Sequence, residues 1–247
     1  VDDFAAWPGN DRDVLADMDR KQLGWIDRTI AVSDALADHA RQHGAQPSLL
    51  SHGINPDCWR SNTSSPIADR IKALPGPRAI FWGLIDARLD VETVGRLTEK
   101  GRCSVVLVGP TQGNVDRLLD LPGVTYCGPA EFAELPAIAA AADVLVMPYR
   151  DLPVTRAMQP LKLKEYLATG KPVVCLPLPA LYEWSDACDV VHADTFAERV
   201  LQRAKDGLPK SQAHARHRLQ HENWQAKAAV FEALLADQPH QAESRAA

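Results

Sequence analysis

Lys162 and Glu165 stand one helical turn apart in the run Q-P-L-K-L-K-E-Y-L-A-T-G-K-P-V-V, which ends at Val174. Residues at this spacing share a helix face, so a cation and a carboxylate would sit side by side. Pro160 precedes them and Gly170 follows. Proline suits the first helical position, where its missing N–H would be unpaired anyway, and glycine suits the stop because it accepts the left-handed conformation. The pattern predicts a short helix opened by Pro160 and closed by Gly170, between a buried strand at Val144–Met147 and another at Val173–Cys175. A helix that starts at the carboxyl end of a strand offers free backbone N–H groups to anions. Amides plus Lys162 suit a pyrophosphate, and Glu165 can accept from ribose hydroxyls. Such a layout suits a nucleotide sugar.

The elements that would hold these groups alternate along the chain. Strands are expected at 79–82, 104–108, 124–127, 144–147 and 173–175, with an edge strand at 190–191. Helices are expected near 91–100, 115–119, 131–141 and from Phe196. This order predicts an α/β fold with a doubly wound parallel sheet. Before it, residues 11–24 carry an amphipathic helix pattern, 28–32 and 46–51 read as short strands, and Ser33 caps a helix over 34–43. Residues 56–77, rich in Ser, Pro and Asn with one short helix at 67–74, read as a linker. A last helix is expected over 223–235, and the polar, Ala-rich stretch 238–247 reads as a disordered tail.

Other chemistries find less support. T-G-K at 169–171 lacks the earlier Gly, the following Ser or Thr and the following helix that a phosphate loop needs, and no G-x-G-x-x-G exists for a nicotinamide dinucleotide. His192, His214, His217 and His221 show no ligand spacing, so no metal is expected. The 247 residues hold 27 basic against 32 acidic side chains, a net charge of −5, with no basic stripe. That argues against nucleic acid as a partner. No apolar run reaches the roughly 20 residues of a spanning helix. Five scattered cysteines without C-x-x-C read as reduced, buried thiols of a cytoplasmic protein. Lys164 is expected to be solvated on the far side of its helix, and Lys171 to serve a helix end.

The Q-P-L-K-L-K-E-Y-L-A-T-G-K-P-V-V segment resembles the donor-binding motif of glycosyltransferases of the GT-B fold, in particular the retaining family 4 group. The resemblance continues in D-R-T-I-A-V-S-D-A-L at 27–36, S-H-G-I-N-P-D-C-W at 51–59, F-W-G-L-I-D at 81–86, V-V-L-V-G-P at 105–110, A-A-A-D-V-L-V-M-P-Y at 140–149 and H-E-N-W at 221–224. It implies a Rossmann-like donor domain over 55–220. Residues 1–54 would be the remnant of a second Rossmann-like domain on the acceptor side, and 221–237 a closing helix returning toward it. The chain then reads as a fragment.

By this resemblance Glu165 holds the nucleotide ribose, and Gln159, Pro160, Leu161 and Lys162 form the donor-binding start of the helix. Gly83 either lets the backbone approach the ligand or simply makes the turn. Arg88 is the basic residue left to neutralise phosphate after that turn. Gly128 and Phe132, in C-G-P-A-E-F, would line a base pocket, or would form a plain strand-to-helix turn with Phe132 packed inward. Where many members carry a sugar-contacting Glu, this chain has Ala157, so Arg156 and Gln159 are the polar groups left to reach the sugar.

The activity implied is transfer of a sugar from a nucleoside-diphosphate sugar to an acceptor hydroxyl with retention, in polysaccharide biosynthesis. No cofactor or metal is needed, and catalytic residues are not assigned. The acceptor could be a saccharide, lipid or small molecule, and the setting is cytoplasmic, at the inner face of a membrane reached through the missing domain. Two alternatives stay open: a non-catalytic nucleotide-sugar-binding module and a nucleotide-sugar epimerase of the same fold.

Overall fold

A computed structural model describes residues 4–7, 9–60 and 64–236; the expected tail at 238–247 lies outside them. The chain forms α1 (Arg12–Trp25), β1 (Ile30–Ala31), α2 (Asp34–Gln42), β2 (Ser48–Leu49), α3 (Pro66–Lys72), β3 (Arg78–Trp82), α4 (Val91–Thr98), β4 (Ser104–Val108), α5 (Asp116–Leu119), β5 (Val124–Tyr126), α6 (Leu135–Ala141) and β6 (Val144–Met147). It continues with α7 (Pro153–Ala157), α8 (Leu161–Ala168), β7 (Val173–Cys175), β8 (Asp189–Val190), α9 (Phe196–Asp206), α10 (Lys210–Ala215) and α11 (Trp224–Ala236).

Six parallel strands make the main sheet in the order β5-β4-β3-β6-β7-β8. This is the α/β architecture that the alternation predicted. Strands β4, β6 and β7 are buried along their whole length, which explains why they read as unbroken apolar runs rather than alternating ones. The order runs outward from β3 through β4 to β5, then restarts on the other side of β3 with β6. The carboxyl ends of β3 and β6 therefore flank a topological switch point, where an open α/β sheet leaves a crevice for ligands.

Chain ends at that crevice are stitched together. Asp90 donates its N–H to the Pro148 carbonyl at 2.8 Å, and Arg150 to that of Arg88 at 2.7 Å. Beyond β4, Gly109 has φ +140°, and a Cβ there would lie 2.0 Å from the Gly83 carbonyl oxygen. Only glycine lets these two turns pass so closely.

Several expectations are corrected. Pro160 is the N-cap of α8, with extended φ −74° and ψ 100°, so the helix proper opens at Leu161. The loop before it contains α7, whose Pro153 start the sequence reading passed over. Much of 56–77 is packed rather than a free linker: Ala68 and Ile71 are buried where α3 lies against α6, and Trp59 is buried by its stack on Trp82. The cysteines are all free thiols, but Cys58 and Cys127 are only half-buried. Gly170 takes φ +74° after α8 ends, as its stop role requires.

Ahead of the main sheet, β1 and β2 pair in parallel as a separate two-stranded sheet. Ile54 and Asn223 form a parallel bridge, and Ile54 donates to the Glu222 carbonyl at 2.8 Å. The two segments joining the main sheet to α2 and to α11 thus run side by side.

Candidate nucleotide site

Helix α8 starts at the switch point without a side-chain cap. By contrast Asp11, Ser33, Ser65 and Asp90 cap α1, α2, α3 and α4 with side-chain oxygens. The first amides of a helix have no partners within it, so this start depends on other acceptors. Leu163 donates back to the Pro160 carbonyl at 3.0 Å, which satisfies one of them.

From the first turn of α8, the Lys162 side chain reaches into the crevice between β3 and β6. Its ammonium donates to the Tyr149 hydroxyl at 2.7 Å and lies 3.9 Å from the centre of the Phe81 ring. A Cβ on Gly83, whose φ is +130°, would meet this ammonium at 2.3 Å. The space that the missing side chain of Gly83 leaves is taken by Lys162. Burial pushes the Lys162 pKa down to about 7, and the nearby Arg88 adds to this, while Glu165 and Asp86 oppose it. An ammonium held this way gains from an added anion, because the anion supplies the counter-charge that burial denies it.

Glu165 sits one turn on. The Trp82 indole Nε1 donates to its Oε2 at 3.4 Å. Desolvation raises the Glu165 pKa, against the Trp82 bond and the Lys162 charge. Behind it the Tyr166 hydroxyl accepts the Trp82 backbone N–H at 3.0 Å, fixing helix α8 to the end of β3.

Arg88 reaches the same neighbourhood but arrives already paired. It is buried, its Nη2 lies 2.9 Å from Asp86 Oδ2, and its guanidinium stacks over the Trp7 ring at 4.4 Å. A bidentate partner of this kind neutralises much of its charge locally. Gly83, Arg88, Lys162 and Glu165 are thus brought together. Gln159 is half-buried immediately before the Pro160 cap.

Other candidates stand further off. Gly128 has φ +78°, and its carbonyl accepts from Gly109 at 2.8 Å. Phe132 is 55% exposed rather than packed inward, its edge against Trp59 at 5.6 Å between ring centres. Arg156 is exposed and pairs with Asp151. Ala157 is buried, and its carbonyl accepts from the Ser33 hydroxyl.

Lys164 overturns its expectation. It is buried, and its ammonium donates to Ser51 Oγ at 3.0 Å and the His52 carbonyl at 2.7 Å, and pairs with Glu222. Helical spacing alone turned it away from Lys162, but that side of α8 faces the two parallel segments rather than solvent. Lys171, by contrast, donates to the carbonyls of Ala140 and Ala142 as a structural lysine. Tyr149 and Trp82 were missed as site residues. For Trp82 the signal was present, since it ends the apolar strand β3 beside Gly83; Tyr149 lies two residues past β6 with no such neighbour.

Comparison with known proteins bears on this geometry. Residues 85–206 match the profile of the family described as glycosyl transferases, group 1. The matched stretch, just under half of the chain, is similar to group 1 glycosyl transferases. TuaH of Bacillus subtilis (strain 168), which its name assigns to teichuronic acid biosynthesis as a glycosyltransferase, is 31% identical over 165 residues, covering 62% of this chain and 42% of TuaH. The chain thus spans less than half the length of that relative.

Among solved structures, HepE (Alr3699) of Anabaena in complex with UDP-glucose superposes with a TM-score of 0.72 at 13% identity, over 95% of this chain and 71% of HepE. Sucrose-phosphate synthase of Thermosynechococcus elongatus gives 0.69 at 21% identity, over 91% of this chain and 61% of the synthase. At such identities the likeness is one of fold. Among the described residues no helix is long and apolar enough to cross a membrane.

Proposed function

We propose that this chain is the donor-binding part of a retaining glycosyltransferase that takes its sugar from a nucleoside diphosphate and passes it to an acceptor hydroxyl. The observation that carries this reading is the placement, on one uncapped helix start at the switch point, of the Lys162 ammonium, set between Tyr149, Phe81 and Gly83, one turn before Glu165. Departure of a diphosphate needs positive charge aimed where negative charge develops. Lys162 and the first α8 amides supply it, with Arg88 behind them. Glu165, with one oxygen held by Trp82, accepts from the ribose. HepE, of the same fold, is solved with UDP-glucose, which fits a nucleotide sugar as ligand. We place the activity in the cytoplasm, in the assembly of a polysaccharide, with no metal required and with Gly128 and Phe132 beside the base.

The 1–54 segment, with its separate two-stranded sheet, is assigned to the acceptor side, and α11 to the return toward it. A purely binding module or an epimerase is not favoured, since the family matched is one of transferases. Calorimetric titration of the purified chain with UDP, GDP and ADP, without added metal, tests the donor site. Saturable binding of one supports the proposal and names the base; no binding of any by a folded sample contradicts it.

A further inference from the structure

Trp82 is held on three sides. Its backbone N–H is taken by the Tyr166 hydroxyl at 3.0 Å. One face of its ring stacks on Trp59 at 5.6 Å and 11°, and Tyr166 meets it edge-on at 4.3 Å. Only 4% of Trp82 is exposed. The remaining polar atom, Nε1, is directed at Glu165 Oε2. Phe132 extends the row in an edge-on contact with Trp59 at 5.6 Å. An indole N–H is a donor only and cannot turn over to accept. A ring locked by packing therefore imposes one polarity and one direction on whatever it meets.

Resting on the nucleotide reading above, we infer that Trp82 is a positioning residue of the site: its locked indole N–H holds one oxygen of Glu165 and so aims the carboxylate at the ribose. Among the described residues this indole is the hydrogen-bond donor shown for the Glu165 carboxylate. A glutamate has three side-chain torsions to restrict, and a ligand that must order them itself loses affinity. Trp82 removes that cost in advance. The row Phe132–Trp59–Trp82 then links the edge of the base side to the ribose contact through one edge-on and one stacked ring contact.

The test is a double-mutant cycle on nucleotide affinity, using whichever of UDP, GDP and ADP binds the unaltered chain. Trp82→Phe keeps a ring between Trp59 and Tyr166 but removes the N–H. It should weaken binding roughly fivefold, through the lost ordering of the Glu165 carboxylate. In a Glu165→Ala background the same change should cost nothing more. Additive losses, or unchanged affinity in folded Trp82→Phe, would overturn the role.

Indole 1H–15N spectra give a second readout that packing alone would not move. The signal absent from Trp82→Phe should shift in Glu165→Ala without ligand, and in the unaltered chain on nucleotide addition. If Trp82→Phe does not fold, Trp82 is assigned by elimination among the other five tryptophans, and an unmoved signal overturns the role. If no nucleotide binds a folded chain, the site reading and this role both fall; binding with additive losses removes this role alone.

Discussion

The ammonium of Lys164 lies 2.7 Å from the His52 carbonyl and pairs with Glu222, so the helix that carries Lys162 and Glu165 is tied from its other side to both segments leaving the main sheet. Lys227 joins the same Glu222 at 2.8 Å and Ser51 at 3.1 Å. A carboxylate between two lysines, flanked by a hydroxyl and a carbonyl, is a closed network rather than a surface pair. Burial lowers the Lys164 pKa, and the Glu222 bond works against that, which keeps the cation in place.

Lys164→Met fills the same space without the charge. It leaves the His52 carbonyl and half of the Glu222 pairing unmet, and breaking a buried pair in this way costs about 3 kcal/mol. Urea unfolding should show a lower midpoint with an unchanged slope. Lys227→Met should cost less, since Glu222 keeps its buried partner. Equal midpoints for Lys164→Met and the unaltered chain would mean that the network contributes nothing to stability.

Gly83→Ala puts a methyl where the Lys162 ammonium now lies, at a φ of +130° that disfavours any other residue. The strained backbone alone costs about 1–3 kcal/mol. The displaced lysine should in addition lower diphosphate affinity more than it lowers affinity for the nucleoside. Titration of both ligands against the folded variant separates the two effects. Parallel losses for nucleoside and diphosphate would argue against a phosphate contact.

Lys162 makes stability and binding respond to pH in opposite directions. Its folded pKa is lowered from 10.5 to about 7, so between these values the unfolded chain binds the extra proton. Stability from this group therefore rises as pH climbs from 7 toward 10.5, and its charged form is the costly one below that range. A bound diphosphate favours the charged form. Nucleotide affinity should fall as pH rises through 7, and binding at pH 8 should take up protons. Calorimetry in buffers of different ionisation enthalpy measures that uptake; none at pH 8 would contradict the assigned environment.

Much of the fold was legible because parallel strands buried on both faces give unbroken apolar runs: Ser104–Val108, Val144–Met147 and Val173–Cys175 fall where the runs lie. The site helix was legible for a different reason, since Pro160 and Gly170 punctuate it. What sequence could not give was which side of α8 meets protein. Spacing set Lys164 apart from Lys162, but a helix wheel does not say that His52 and Glu222 wait there, because both come from segments distant in the chain. Arg88 likewise looked free for phosphate, and the Asp86 beside it in sequence turned out to be its partner in space. Trp59 looked like part of a linker until its stack on Trp82 showed it as core.

The central claim is that Lys162 and Glu165 together hold a nucleoside diphosphate. It is tested most directly by comparing nucleotide titrations of the unaltered chain, Glu165→Ala and Arg156→Ala, each checked for folding. The account predicts at least a tenfold loss of affinity in Glu165→Ala, from removal of a charged hydrogen bond worth roughly 1.5–3 kcal/mol. It predicts little change in Arg156→Ala, whose exposed guanidinium is occupied by Asp151. Unchanged binding in a folded Glu165→Ala would contradict the account.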